Sequence, residues 1–208
     1  MTNASGPLTG IRVVDLTTAV SGPVAAVILA DQGADVIKIE PPGGDFMRAA
    51  GPKSGMNPTF VACNRGKRSI VLDLKQQGAA EILWRLIESA DVLIQNFRPG
   101  AIERLGFAAS TVAARNPRLV YLSISGVGES GPYSGKRVYD PVVQVLGGLA
   151  DIQADPQTGR PRMVRTLIAD KTTAVYAAQA VVAALFSRER TGVGQHVRLS
   201  MLDTLVCY

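Results

Sequence analysis

The chain has few of the residues that disulfide frameworks and metal sites require. Its 208 residues include two cysteines, Cys63 and Cys207, and one histidine, His196. The cysteines lie far apart without metal-ligand spacing, which argues against a disulfide framework and agrees with a reducing cytoplasm. One histidine and two distant cysteines also argue against a zinc centre, and we predict no metal site.

The sequence also lacks signals for two classes of partner. Its net charge is +5, from 22 basic and 17 acidic residues, but no basic run with interleaved aromatic residues indicates a nucleic-acid surface. No apolar run of membrane-spanning length is free of Gly, Pro or charge, and residues 1–8 lack a signal-peptide pattern. We therefore predict a cytoplasmic protein without nucleic-acid or membrane partners, whose scattered cations suit a phosphorylated small molecule.

What is present is an alternation of strand and helix patterns. Apolar residues make up 47% of the chain, enough for one domain with a substantial core. The alternation predicts an α/β fold with a parallel sheet. We predict strands at residues 10–16, 34–40, 67–74, 91–95, 118–125 and 196–201, and helices at 23–32, 77–90, 101–105, 110–115, 171–187, from 202 onward and from about 141 to 146. Residues 41–66 and 151–163 are predicted to be irregular.

The first strand–helix–strand unit does not carry a dinucleotide fingerprint. Residues 17–23 lack the Gly-x-Gly-x-x-Gly pattern. Glu40 ends the second strand where a ribose-binding acid would lie, but Pro41 and Pro42 follow at once. The sequence therefore disfavours NAD binding.

Polar loops follow two of the later predicted strands. Asn96 and Arg98 come directly after residues 91–95, and a glycine-rich loop with Lys136 and Arg137 follows residues 118–125. In open α/β sheets, ligands bind outside the carboxyl ends of the strands. These loops are therefore candidates for ligand contact.

Asp170 is the carboxylate at the start of the longest predicted helix, residues 171–187. Aspartate is a preferred N-cap residue, so a purely structural role is open and is the better one on spacing alone. A helix N-terminus also favours an ionised carboxylate, so a nucleophile is open as well. The two roles are compatible.

Taken in order, the motifs of the chain resemble those of the class III CoA-transferases, the CaiB/BaiF group. The motifs are LTGIRVVDL at 8–16, GADVIKIE at 33–40, NRGKRSI at 64–70, NFRPG at 96–100, NPRLVY at 116–121, Ala169-Asp170, and RTGVGQ at 190–195. The resemblance covers nearly the whole chain. It implies a Rossmann-like large domain, an interlocked homodimer, and CoA or acyl-CoA as substrate with no tightly bound cofactor.

The resemblance also implies a set of site residues. Asp170 matches the catalytic aspartate of the family. The positions expected to contact CoA or line the active site are Asn96, Arg98, Arg104, Lys136 and Tyr139, with Lys38 and Arg68 as further candidates for phosphate contacts. Because CoA carries a pyrophosphate and a 3′-phosphate, these cations have a chemically suitable ligand.

The activity implied is transfer of CoA from an acyl-CoA donor to a carboxylic acid, through aspartyl anhydride and aspartyl-CoA thioester intermediates. Racemases of the same family instead move a proton at the α-carbon and need a base on each face. Where they place a His-Asp pair, this chain has Tyr139-Asp140. His196 lies on a later strand and does not match, so transfer is favoured over racemisation, which stays an alternative.

Family members are about twice as long as this chain. The resemblance therefore implies that residues 1–208 form the large domain, without the small domain and its glycine-rich loop. That loop supplies oxyanion donors in the family, so we expect impaired or absent activity in the isolated chain. An inactive CoA-binding fragment and one subunit of a split enzyme remain alternatives.

Overall fold

The computed structural model describes residues 5–49 and 56–208. These residues form a six-stranded sheet in which all neighbouring strands are parallel. The strands are β1 (Arg12–Asp15), β2 (Asp35–Glu40), β3 (Arg68–Val71), β4 (Val92–Gln95), β5 (Val120–Ser125) and β6 (His196–Ser200), in the spatial order β3-β2-β1-β4-β5-β6. This doubly wound order confirms the predicted Rossmann-like α/β fold.

Helices cover both faces of the sheet. They are α1 (Ser21–Asp31), α2 (Pro58–Asn64), α3 (Gln77–Glu88), α4 (Ala101–Arg104), α5 (Ala109–Arg115), α6 (Asp140–Leu146), α7 (Leu149–Ile152), α8 (Ile168–Thr191) and α9 (Met201–Val206). One apolar core joins the sheet to α1 and α8, and a second joins the opposite face to α3, α4 and α5. Within the described ranges, no helix combines the length and apolar character needed to cross a bilayer.

Helices α1 and α8 pack against each other through small side chains. The buried residues of α8 include Ala174, Ala177 and Ala178, and those of α1 include Ala25 and Ala26. Alanine side chains allow two helices to approach closely while filling the space between them. This packing places the first turn of α8 beside the first turn of α1, at the carboxyl edge of the sheet.

The segment predicted to be irregular, residues 41–66, is partly helical. A 3-10 turn occupies Phe46–Arg48, and α2 begins at Pro58, whose fixed φ suits a first helical position. Asn57 caps α2 by accepting a hydrogen bond from the Thr59 amide at 2.9 Å. The Asn-Pro pair was thus a helix-start signal that the prediction missed. Residues 50–55 of this segment, and residues 1–4, lie outside the described part of the chain.

Candidate active site

One cavity, named the main cavity because it contains most of the predicted site residues, lies at the carboxyl edge of the sheet, between the loops that follow β1 and β4. This is the point where the strand order reverses, the usual ligand position in open α/β sheets. The cavity has a volume of about 310 Å³. It brings together five of the predicted site residues, Asn96, Arg98, Lys136, Tyr139 and Asp170.

Asp170 is not the N-cap of its helix, so the capping prediction was wrong. Helix α8 begins at Ile168, two residues before Asp170, and its N-cap position is occupied by Leu167 without a side-chain hydrogen bond. Asp170 is therefore the third residue of the first turn. The prediction failed because the apolar residues before Asp170 were assigned to a separate segment rather than to the helix.

The Asp170 carboxylate instead contacts the N-terminus of another helix, α1. Its Oδ1 accepts a hydrogen bond from the Ser21 backbone N–H at 3.2 Å, and the Ser21 hydroxyl also bonds to the carboxylate. Ser21 is the first residue of α1, whose N-cap position, Val20, supplies no side-chain cap. The aspartate thus satisfies a free N–H of α1 and places its negative charge at the positive end of that helix.

Burial decides the protonation behaviour of Asp170. Loss of solvent raises its pKa, the negative charge of Asp140 raises it further, and the hydrogen bonds from Ser21 lower it, with the result that the pKa is about 6. At pH 7 about nine-tenths of the carboxylate is ionised. It is also more basic than an exposed aspartate, which suits a nucleophile.

Asp140, 30 residues before Asp170 in the sequence, fixes the start of α8 by a direct hydrogen bond. Its Oδ2 accepts a hydrogen bond from the Asp170 backbone N–H at 2.9 Å, and its Oδ1 accepts one from Gln144 Nε2 at 2.6 Å. Gln144 Oε1 in turn accepts from the Val164 N–H at 2.8 Å, and its Nε2 donates to the Thr166 carbonyl at 3.3 Å. Asp140 and Gln144 therefore fix both α8 and the segment that leads into it.

The sequence analysis did not predict that Asp140 fixes the start of α8. Asp140 was singled out only as the partner of Tyr139 in the comparison with racemases. It is 1% exposed, and both of its carboxylate oxygens have protein donors. Tyr139 is 65% exposed and lines the cavity.

Asn96 ties two walls of the cavity together. Its Oδ1 accepts from the Thr18 backbone N–H at 3.0 Å, and its Nδ2 donates to the Thr18 carbonyl at 2.9 Å. The pair fixes the loop after β1 against the loop after β4. The amide group keeps a second N–H for a ligand, so the predicted contact with CoA stays a prediction.

The loop after β1 is strained where it lines the cavity. Ala19 has a φ of 67°, the only positive φ at a non-glycine residue in the described part of the chain. Such conformations persist only where surrounding contacts hold them, and they concentrate at functional sites. The clamp on Thr18 supplies one of these contacts.

Exposed cations give the cavity a positive rim. Arg98, Lys136 and Arg137 line it and are exposed. None of the three forms an ion pair with any residue in the ranges that the structure describes. Arg104, also predicted for the site, does not line this cavity; its Nη1 lies 3.0 Å from the point that a Cβ on Gly100 would occupy. Unpaired cations around a cavity attract an anionic ligand.

Two predicted phosphate contacts are not brought into this cavity. Lys38 is 1% exposed, and its ammonium donates to the Thr17 carbonyl at 2.7 Å and lies 3.1 Å from the Asp45 carboxylate. Arg68 begins β3 at the amino edge of the sheet, opposite the cavity, where it makes a two-point ion pair with Asp35. The structure therefore gives both side chains protein partners and does not support the predicted phosphate contacts.

A buried ion pair that the sequence reasoning missed supports the loop after β1. Lys67 Nζ lies 2.8 Å from Asp15 Oδ2, and both side chains are almost fully buried. Asp15 Oδ1 also accepts from the N–H and hydroxyl of Thr17, at 2.9 and 2.5 Å. Burial alone would raise the pKa of Asp15, but attraction by Lys67 and Lys38 and the hydrogen bonds outweigh it, so the pKa lies below its usual value.

A second, smaller cavity of about 220 Å³ adjoins the first and shares Thr18 and Phe97 with it. Its other lining residues are mainly apolar side chains from the ends of β1, β2 and β3, with Asp73 and Lys75 at the loop that follows. An apolar slot with a few polar groups suits a flat aromatic ring that carries hydrogen-bonding atoms.

Comparison with known proteins assigns a family to this Rossmann-like chain. The model of CoA-transferase family III matches residues 8–208. The acetyl-CoA:oxalate CoA-transferase of Acetobacter aceti is 42% identical over 205 residues, or 98% of this chain and 53% of that protein. The succinate–glutarate CoA-transferase of Agrobacterium fabrum is 42% identical over 212 residues, with the same coverage.

Solved structures give the same result. A CaiB/BaiF family protein from Brucella suis matches with a TM-score of 0.93 and 38% identity, over 98% of this chain and 55% of that one. The chain belongs to CoA-transferase family III, which confirms the resemblance seen in the sequence. It spans about half the length of the curated relatives it matches.

Proposed function

We propose that this chain carries the nucleophile and the CoA-binding wall of a class III CoA-transferase, with Asp170 as the nucleophile. The observation that carries the proposal is the environment of Asp170. It is a partly buried carboxylate with a pKa of about 6, held by Ser21 and facing a cavity with an unpaired cationic rim. Such a carboxylate is ionised at neutral pH and desolvated enough to attack a carbonyl carbon.

In the proposed reaction, an Asp170 oxygen attacks the thioester carbonyl of the donor. The C–S bond breaks, CoA leaves as a thiolate, and a mixed anhydride remains on Asp170. The thiolate then attacks the aspartyl carbonyl of the anhydride and releases the donor acid as a carboxylate. The acceptor carboxylate attacks the resulting aspartyl-CoA thioester, the C–S bond breaks, and CoA thiolate leaves as a second mixed anhydride forms. The thiolate then attacks the acceptor's acyl carbonyl in that anhydride, which gives the new acyl-CoA and releases Asp170 as a carboxylate.

CoA would bind with its charged groups at the rim of the main cavity. Arg98, Lys136 and Arg137 are placed to neutralise phosphate oxygens, and guanidinium and ammonium groups bind phosphate strongly. The apolar slot beside Phe97 has the size and character to accept the adenine ring. No tightly bound cofactor is required by this chemistry.

The negative charge that develops in each step needs hydrogen-bond donors. The Ser21 N–H already lies on the Asp170 carboxylate and would stay close to the aspartyl carbonyl oxygen in the anhydride and thioester. One such donor covers part of this need. Comparing the activity of this chain with that of a full-length relative measures how much donors outside residues 1–208 contribute.

Racemisation is less well supported by the surroundings of Asp170. It would need a second base across the α-carbon. Asp140, the nearest candidate, has both oxygens bonded to the Asp170 N–H and to Gln144. His196 lies away from the main cavity and bonds to Ser123.

Small dicarboxylic acids are the acceptor class that the relatives favour. Several of the matched proteins are named for oxalate, for succinate and glutarate, or for mesaconate, whereas one from Mycobacterium tuberculosis is named a probable fatty acyl-CoA transferase. We propose the same acceptor class for this chain. We also propose that it forms a homodimer, which sedimentation velocity would test. A panel of acyl-CoA donors and these acids tests the substrate class.

The direct test is to trap the covalent intermediate. We expect incubation with succinyl-CoA, acetyl-CoA or oxalyl-CoA to add the mass of a CoA thioester to the peptide that contains Asp170. Hydroxylamine should convert it to a hydroxamate at the same residue. Asp170→Asn should give neither product, while Asp203→Asn, a change at an exposed first-turn aspartate, should give both. An adduct on a peptide without Asp170, or the same adduct in Asp170→Asn, would contradict the nucleophile assignment, whereas CoA binding without any adduct would match the impaired activity expected of residues 1–208.

A further inference from the structure

Polar side chains cross the interior of the sheet beneath the loop at residues 96–98. Strands β4 and β5 are buried on both faces, and such strands are usually apolar throughout. Gln95 and Ser123 depart from that pattern although they are only 5% and 3% exposed. Buried polar groups of this kind need hydrogen-bond partners.

The partners form a continuous line from the edge strand to the loop. The Ser123 hydroxyl oxygen lies 2.9 Å from His196 Nε2 and accepts from Gln95 Nε2 at 2.9 Å. Gln95 Oε1 accepts from the Phe97 backbone N–H at 2.8 Å. Sheet register explains the line, because Gln95 pairs with Ser123, and His196 pairs with Tyr121, two residues earlier on the same face.

One arrangement of protons satisfies every group in this line. Neutral His196 with a bare Nε2 accepts from the Ser123 hydroxyl, which accepts from the Gln95 amide, whose oxygen accepts from the Phe97 N–H. Protonation turns His196 Nε2 into a donor. The Ser123 hydroxyl then loses its acceptor, or the Gln95 amide must turn and present N–H to the Phe97 N–H.

We propose that Gln95, Ser123 and His196 form a relay of positioning residues, which holds the 96–98 loop in the shape that acyl-CoA requires and couples that shape to the charge of His196. The choice of acyl-CoA as the ligand rests on the proposed function. The dependence of the loop shape on the charge of His196 does not rest on it.

The loop is well placed for such an effect. Phe97 lines the main cavity, the apolar slot and a third cavity of about 320 Å³ that also contacts Gln95. Arg98, the next residue, lines the main and third cavities. A shift of the Phe97 amide therefore moves the wall that these spaces share and the cation proposed to meet phosphate.

The groups that face His196 keep the relay intact at neutral pH. Burial lowers the pKa of His196, the cation Arg198 on β6 lowers it further, and Glu129 after β5 and Glu103 on α4 raise it less. The Tyr121 ring on β5 packs edge-on against the His196 ring, with 5.0 Å between the ring centroids. The net direction is below the usual value, so His196 is neutral at pH 7 and becomes charged on acidification.

The relay is tested first without any ligand, by following the Phe97 amide and the His196 ring by NMR between pH 7.5 and 5 (about the range that a histidine covers). We expect the Phe97 amide shift to titrate with the midpoint of the His196 ring. In Ser123→Ala the ring should still titrate while the Phe97 amide no longer follows it. A Phe97 amide that ignores His196 in the unaltered chain would overturn the relay.

CoA affinity, measured by calorimetry over the same pH range, tests the ligand part. Loss of one buried hydrogen bond corresponds to about fivefold weaker binding. We expect acidification to weaken binding by about fivefold more in the unaltered chain than in His196→Gln, whose amide oxygen can accept from Ser123 but whose side chain does not titrate. Because CoA phosphates and Asp170 titrate in both proteins, the difference isolates His196.

The outcomes separate the two proposals. Equal acid weakening in the unaltered chain and His196→Gln would overturn the role of the relay in binding. Absence of CoA binding at every pH in the unaltered chain would overturn the proposed function together with the ligand assignment.

Arg198→Gln gives a further check, since removing this cation should raise the midpoint of both the ring and the amide titration without reducing the amide response. An unmoved midpoint would contradict the electrostatic account.

Discussion

Replacing the proposed nucleophile with its neutral isostere should stabilise the protein. An ordinary aspartate has a pKa of about 3.9, whereas burial and Asp140 raise that of Asp170 to about 6. By linkage, holding Asp170 ionised costs the folded state about 3 kcal/mol. Asp170→Asn removes this cost and keeps an oxygen that can accept from the Ser21 N–H.

The sign of the effect depends on pH. Since the folded-state pKa is raised, the penalty is absent well below the unfolded-state pKa of about 3.9, reaches only about 0.5 kcal/mol at pH 4, and grows until the pH passes about 6. Asp170→Asn should therefore match the unaltered chain to within about 0.5 kcal/mol at pH 4. At pH 7.5 it should have a free energy of unfolding up to about 3 kcal/mol higher.

Urea unfolding followed by circular dichroism at the two pH values measures this difference. Asp203→Asn is the matched control, because Asp203 is an exposed acid in the first turn of α9. Its effect should stay within about 0.5 kcal/mol at both pH values. Equal or lower stability of Asp170→Asn at pH 7.5 would refute the claim that burial of this charge strains the fold.

Three further substitutions, with Arg65→Gln as a control for the third, test the surroundings of the site. Ser21→Ala removes a hydroxyl bond to the carboxylate, so the pKa of Asp170, read from its side-chain carbon by NMR, should rise by up to about one pH unit. Asp140→Asn removes the neighbouring negative charge and should move that pKa in the opposite direction; shifts of the same sign in both variants would contradict the assignment. Lys67→Met leaves its buried carboxylate partner unpaired and should lower the urea-unfolding free energy by about 3–5 kcal/mol. Arg65→Gln, which breaks an exposed pair, should cost less than about 1 kcal/mol, and a similar loss in both variants would argue against a special role for the buried pair.

The sheet could be predicted because its signals are local. Residues 91–95 and 118–125 read as buried strands on composition alone, and the structure places β4 and β5 there. The alternation of strands and helices then favours a parallel order. The start of α2 was missed although it is local, because Asn57 was read as part of a loop rather than as a cap.

The contacts of the site could not be predicted in the same way. Asp170 accepts from a residue 149 positions earlier, and its N–H is bound by a carboxylate 30 positions earlier. No spacing rule relates such residues. Lys38 shows the same limit, since the strand pattern does not reveal that its ammonium turns back onto Thr17 inside the protein.

The carboxylates that bind the N-termini of α1 and α8 affect how the site forms during folding. Neither helix supplies a side-chain cap of its own, and each receives a carboxylate from elsewhere in the chain, Asp170 for α1 and Asp140 for α8. Contacts that span many residues form only after the chain has closed large loops. The first turns of both helices should therefore become ordered together, late in folding. The proposed nucleophile would then acquire its orientation and its raised pKa in the same late step of folding.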